Sequence, residues 1–147
     1  MIEWKCKYFT DLTNEELYSI IQLRLEVFVV EQNCVFQDCD NKDQHSHHLA
    51  GWLDQKLVAY ARLLPPGVAY PLASIGRVVT SPSARKKGFA RELMNIAIQK
   101  IKDLYGPGDI KIGAQLYLEG FYSSFGFHQS GDIYLEDGIE HIEMILT

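Results

Sequence analysis

The strongest constraint on the fold lies between Ala90 and Leu104. There Ala90, Leu93, Met94, Ala97, Ile98, Ile101 and Leu104 recur at the spacing of one helix face. A stripe that wide must be covered by other structure. Gly106-Pro107-Gly108 ends this helix. Upstream, Ala73 to Thr80 reads as a strand that Ser81-Pro82 stops. The unit is therefore strand, loop, helix, and the flanking chain must supply the rest of a sheet.

It does so in short pieces. Ile2 to Phe9 reads as a strand, and Thr13-Asn14-Glu15-Glu16 has the form of a capping box. This predicts a helix from about Asn14 to Val29 with Leu17, Ile20, Ile21, Val27 and Phe28 on one side. Arg24 projects into the middle of that stripe, where a guanidinium needs a carboxylate or carbonyl partner. It either forms a structural ion pair or shapes a substrate pocket. Asn33 to Ser46 has no period and is rich in Asp, Asn and Gln, which predicts a long loop. His48–Leu53 and Leu57–Leu64 read as a hairpin turned at Asp54-Gln55-Lys56. Ile110–Ala114 reads as a strand and Leu116–Phe125 as a short helix. Phe127–Ser130, reaching towards Leu135, and Ile139–Leu146 read as a hairpin turned at Asp137-Gly138. The order β-α-ββ-β-α-β-α-ββ indicates a mixed α/β (α+β) sheet of about seven strands with helices on both faces.

The length of 147 residues suits one domain, residues 1–147, and a chain this long buries roughly 70% of its unfolded surface. Three cysteines, Cys6, Cys34 and Cys39, make an odd number at no disulfide-framework spacing and read as reduced thiols. The first residues hold no apolar run of signal-peptide length, and no window spans a bilayer. The expectation is a soluble cytoplasmic protein without a membrane partner. The formal net charge of −5 argues against nucleic acid as a partner.

That average hides a division. Arg85, Lys86, Lys87 and Arg91 put four cations into residues 85–91, leaving ten Lys and Arg against nineteen acids elsewhere. The cations stand where a helix begins, beside unpaired N–H groups and the positive end of its dipole. Gly88 and Ala90 allow a ligand close to the backbone, so the turn suits a phosphate or pyrophosphate. A solvated basic turn is the alternative. Neither G-x-x-x-x-G-K-[ST] nor G-x-G-x-x-G is present.

Ile75-Gly76-Arg77-Val78-Val79-Thr80 followed by Arg85-x-x-Gly88-x-Ala90 resembles the acyl-CoA motif of the GNAT superfamily of N-acyltransferases, [RQ]-x-x-G-x-[GA]. Phe121-Tyr122-Ser123-Ser124-Phe125-Gly126-Phe127 resembles its Y-x-x-F-G-F element. Met1-Ile2-Glu3-Trp4, Arg24 through Cys34, Val58-Ala59-Tyr60-Ala61-Arg62, Gly113-Ala114-Gln115 and Asp137-Gly138-Ile139-x-His141-Ile142 are similar to the ElaA-type branch. The resemblance spans nearly the whole chain and implies the GNAT fold and an acetyl-CoA-dependent N-acetyltransferase. It implies that Arg85, Lys86, Lys87, Gly88, Phe89, Ala90 and Arg91 surround the CoA pyrophosphate, with N–H groups from Lys86 to Arg91 holding it. The strand ending at Val78, Val79 and Thr80 would pair with the pantetheine arm, and a sheet splayed between it and Ile110–Ala114 would hold the thioester. A backbone N–H near Val78 would bind the carbonyl oxygen as it gains charge.

The resemblance also makes Tyr122 the general acid that protonates the leaving thiolate. Glu31 and His141 stand as candidate bases, and Arg24, Glu31 and Gln32 as the acceptor side. The partner is a small-molecule or peptide amine, and the chain is expected as a monomer or homodimer. A CoA-binding sensor of the same fold is the alternative from another class. R-x-x-V-F at Arg24–Phe28 also resembles acyl-homoserine-lactone synthases, which are longer and lack the clear loop at 85–90. Cys34, Cys39, His45, His47 and His48 are ligand types that zinc favours, but their spacing is irregular and no metal is expected.

Overall fold

The computed structural model describes residues 1–147. Four antiparallel strands run in the order β1 (Glu3–Tyr8), β2 (His47–Leu53), β3 (Lys56–Leu64) and β4 (Ser74–Thr80). A second sheet runs β5 (Ile110–Gln115), β7 (Ile139–Leu146), β6 (His128–Glu136), also antiparallel. The two sheets meet at one parallel bridge, Ala73 to Ile110, where the Lys111 N–H donates to the Ala73 carbonyl at 2.9 Å. Beyond that bridge β4 and β5 part.

Helices cover both faces. The α2 helix (Phe89–Tyr105) lays Leu93, Met94, Ala97 and Ile101 against Ala59, Ala61, Leu63 and Ile75. From the other face the α1 helix (Asn14–Arg24) and the segment after it lay Ile20, Leu23 and Val27 against Ala50, Tyr60 and Val79. Alternate residues of β3 thus serve opposite layers, as a strand of period two requires when covered twice. The capping box forms as expected: Thr13 Oγ1 accepts from the Glu16 N–H at 3.0 Å, and Glu16 Oε1 from the Thr13 N–H at 2.9 Å. No helix is long and apolar enough to cross a membrane.

Three expectations are refined. The helix expected to run to Val29 is α-helical only to Arg24 and continues as a π-helix over Leu25–Glu31, with the Gln32 N–H reaching the Val27 carbonyl. The element expected at Leu116–Phe125 splits into a 3₁₀ turn at Leu116–Leu118 and a short α3 helix (Glu119–Ser123). The β6 strand extends to Glu136, with a register shift between Gln129 and Ile133.

The long acidic loop is fastened by ion pairs. Arg24, fully buried, donates from Nε to Asp38 at 2.9 Å and from Nη1 to Asp43 at 2.8 Å. Arg62 binds Asp40 and Asp43, each at 2.8 Å. Arg77 closes the set on Asp38 at 3.0 Å and Asp40 at 3.3 Å. Behind them His48 donates from Nε2 to the Asp43 carbonyl at 2.9 Å and accepts on Nδ1 from the Tyr60 hydroxyl at 2.6 Å.

This predicts acid lability in two stages. Burial lowers the His48 pKa, so the unfolded chain takes up that proton first, and stability falls as pH drops below about 6.5. Burial also works to raise Asp40 and Asp43, but hydrogen bonds and charge from Arg62 at Asp40 and Arg24 at Asp43 outweigh it. Their contribution is present above their ordinary range, near pH 4, and is lost as pH falls further. Urea midpoints measured between pH 7.5 and 3 should show both stages, and His48→Gln should flatten the first.

Candidate active site

Where β4 and β5 part, the sheet opens into a cleft of about 1010 Å³. One wall is β4 with the cationic turn at 85–91, the other β5 and β7. The π-helical segment and the loop after it close one end. Val78, Val79, Thr80, Arg85 and Ala90 line it, as do Glu31, Gln32, Tyr122 and His141. The resemblance placed these residues in one site, and the fold brings them to one cavity.

At the cationic turn, φ is positive at Lys86 (66°) and Gly88 (80°) but not at Lys87, so the backbone alternates handedness just before α2. Such alternation turns successive N–H groups to one side, as in anion-binding nests. Gly88 caps α2 with no side-chain hydrogen bond, leaving the first N–H groups of a 17-residue helix free. A hollow of about 300 Å³ there is lined by Arg85, Lys86, Gly88, Phe89, Ala90 and Arg91 and continues into the cleft through Thr80 and Ala90. Lys87 is exposed and lines neither space. The Arg91 guanidinium lies 4.8 Å from the Phe125 ring centre and donates to Ser124 Oγ at 3.0 Å, which ties the loop to α3.

Strand β4 carries a bulge where it borders the cleft. Tyr60 pairs with Val79 and Arg62 with Gly76, so Arg77 and Val78 stand opposite the single residue Ala61. Arg77 takes φ +50°, a left-handed conformation that costs a side-chain-bearing residue about 1–2 kcal/mol.

Tyr122 on α3 is buried against Phe121 and Phe127, with ring centres 5.2 and 6.1 Å away. Burial, reinforced by Tyr117, pushes its phenol well above the ordinary range, so it stays protonated at any physiological pH. Across the cleft the His141 Nδ1–H donates to the Ile139 carbonyl at 2.8 Å. In the neutral ring this leaves Nε2 unprotonated, with Glu136 Oε2 3.6 Å away. Tyr134 stacks on the same ring.

Two pairings span the cleft. Glu31 accepts both ends of the Arg85 guanidinium, at 2.8 and 2.6 Å, rather than pairing with Arg24. The Arg85 hydrogen bond pulls the exposed Glu31 carboxyl down, which makes it a poor base. Gln32 and Gln115 exchange reciprocal amide hydrogen bonds at 3.1 and 3.2 Å. Arg24 stands apart from the acceptor side proposed for it: it does not line the cleft, and Asp38 and Asp43 consume its donors.

The remaining thiols and imidazoles are scattered, each with other neighbours. Cys34 Sγ donates to the Asp137 carbonyl, His47 meets the Tyr105 hydroxyl, and Cys39 is exposed. No three His, Cys, Asp or Glu side chains gather where they could hold a metal ion. Residues the sequence did not single out also line the cleft, among them Asp40, Tyr134 and Glu136. Asp40 lies in a loop without period, and the alternation of Tyr134 and Glu136 along β6 gives only a facing.

The family model described as an acetyltransferase (GNAT) domain matches residues 10–147. A UPF0039 protein of Synechocystis is 46% identical over 145 residues, covering 98% of this chain and 94% of that protein. The protein ElaA of Escherichia coli K12 is 40% identical over 146 residues, covering 98% and 95%. Among solved structures, an acyl-CoA N-acyltransferase from Pseudomonas aeruginosa superposes with a TM-score of 0.95 at 42% identity, covering all of both chains.

Proposed function

This chain belongs to the GNAT acetyltransferase family, and on that footing we propose that it transfers the acetyl group of acetyl-CoA to a primary amine by direct attack in a ternary complex. The parted sheet carries this reading, because the cleft it opens reaches Tyr122 and His141 and shares Thr80, Arg85, Ala90 and Phe121 with the hollow at the cationic turn. The pyrophosphate sits on the N–H groups from Lys86 to Arg91, where the charge of the loop and the dipole of α2 both favour it. The pantetheine arm lies along Val78, Val79 and Thr80 and adds a peptide-like edge to β4.

The acceptor must attack as a neutral amine. His141 takes its proton at Nε2, since Nδ1 is committed to Ile139, and Glu136 beside it steadies the imidazolium that forms. The nitrogen then bonds to the thioester carbon, and the Val78 N–H meets the oxygen as charge develops on it. As the carbon–sulfur bond breaks, Tyr122 first donates a hydrogen bond to the sulfur and then passes its proton as the thiolate leaves. The attacking nitrogen gives its remaining extra proton back to the Tyr122 phenolate, His141 releases the proton it took to solvent, and the amide and CoA leave as products. Glu136 and Asp137 face the cleft without a Lys or Arg partner, which favours an acceptor that arrives as an ammonium ion.

The test is release of free thiol from acetyl-CoA across a panel of polyamines, amino acids and peptide N-termini. Release should exceed the amine-free rate with at least one acceptor. Tight CoA binding with no release for any amine would support a CoA sensor instead.

A further inference from the structure

The left-handed residue of the β4 bulge is Arg77, while its neighbour Gly76 has no left-handed φ and would accept a Cβ with only ordinary contact to Leu64. The glycine therefore stands beside the strained position, not at it. A bulge that needed only a left-handed backbone would be best served by glycine at 77. What Arg77 adds is a grip. Its Nε donates to Asp38 Oδ1 at 3.0 Å, and Nη2 donates to the Asp38 carbonyl at 3.0 Å and to Asp40 Oδ2 at 3.3 Å. The guanidinium also lies 5.6 Å from the Phe36 ring centre. Asp38 is itself buried and held from behind by Arg24. Strain of this kind persists only where its surroundings over-determine it.

We propose that Arg77 is a positioning residue: its clamp on Asp38 and Asp40 holds the bulge left-handed, and thereby aims the Val78 N–H at the thioester oxygen. The inference rests on the acyl transfer proposed above. It makes the acidic loop 33–46 part of the catalytic geometry although its carboxylates touch no reactant. The charges in reach of the clamp are Arg24, Arg62, Lys42, Asp38, Asp40 and Asp43, so acceptor ammonium groups meet a set already largely neutralised.

Comparing Arg77→Ala with Arg77→Gly tests this, because both lose the grip but only glycine takes the left-handed backbone freely. Loss of an oxyanion donor costs about 10²–10³-fold in turnover. Arg77→Ala should therefore lower kcat by at least roughly tenfold with the KM for acetyl-CoA within about twofold, and Arg77→Gly should restore most of the lost rate. Equal losses in both variants with a raised acceptor KM would overturn the proposal in favour of direct substrate contact. Unchanged kcat in Arg77→Ala would overturn it outright. Should no amine serve as acceptor, the acyl-transfer reading fails, and the clamp is then judged on the Val78 backbone amide resonance in the free protein. A shift in Arg77→Ala that Arg77→Gly reverses upholds the clamp, and an unmoved resonance rejects it.

Discussion

Replacing Tyr122 by Phe should lower kcat about 10²-fold while leaving the KM for acetyl-CoA within roughly twofold, the loss expected if the phenol is the general acid we propose. The substitution is clean because it deletes one oxygen and keeps the ring. The contacts to Phe121 and Phe127 that fix the side chain survive, so fold and donor site are undisturbed. Burial keeps the phenol protonated at working pH, so in the proposed mechanism its proton is in place when each cycle begins. Steady-state kinetics with the best acceptor, alongside CoA binding by calorimetry, separate the two effects. Unchanged turnover removes Tyr122 from the mechanism and leaves protonation of the thiolate to water.

The second large effect is on stability. Arg24→Ala should cost about 3 kcal/mol, the lower end of the range for removing one partner of a buried charge pair. The lower end applies because neither carboxylate is orphaned: Asp38 keeps Arg77, and Asp43 keeps Arg62. For a chain of this size the loss corresponds to a fall in Tm of roughly 10 °C. The exposed Lys5–Glu3 pair is the control, since breaking it should change stability by less than about 1 kcal/mol. Chemical denaturation of both variants reads the difference. Equal small losses would mean the buried network adds little beyond the packing around it.

The amphipathic stripe of α2 and the capping box of α1 were legible because each is written within a few consecutive residues. The cationic turn was legible for the same reason: residues 85–91 carry their charge and their glycine together. The parted sheet was expected only through family resemblance, since no local pattern states where two strands diverge. Arg24 shows where reading by residue runs out. Its burial followed from periodicity, but Asp38 and Asp43 lie 14 and 19 residues downstream in a segment without period. Glu31, a candidate base by resemblance, pairs with Arg85, 54 residues away, which no local pattern announces. The π-helical turn was invisible because apolar residues at α-helical spacing also satisfy a wider turn over one repeat. Arg77 was quoted for the motif around it, and nothing in its neighbours foretold that the arginine, rather than Gly76, takes the left-handed backbone.

The lone bridge between Ala73 and Ile110 has a mechanical consequence. Two plates joined by a single rivet resist twisting through whatever lies between and across them. Here that is α2 and the side chains beneath it, a soft spring compared with a ladder of amides. In the binding mode we propose, a guest bearing amides along the open edge would supply further rungs. Occupancy and rigidity then become one variable, and the filled protein is a stiffer object than the empty one.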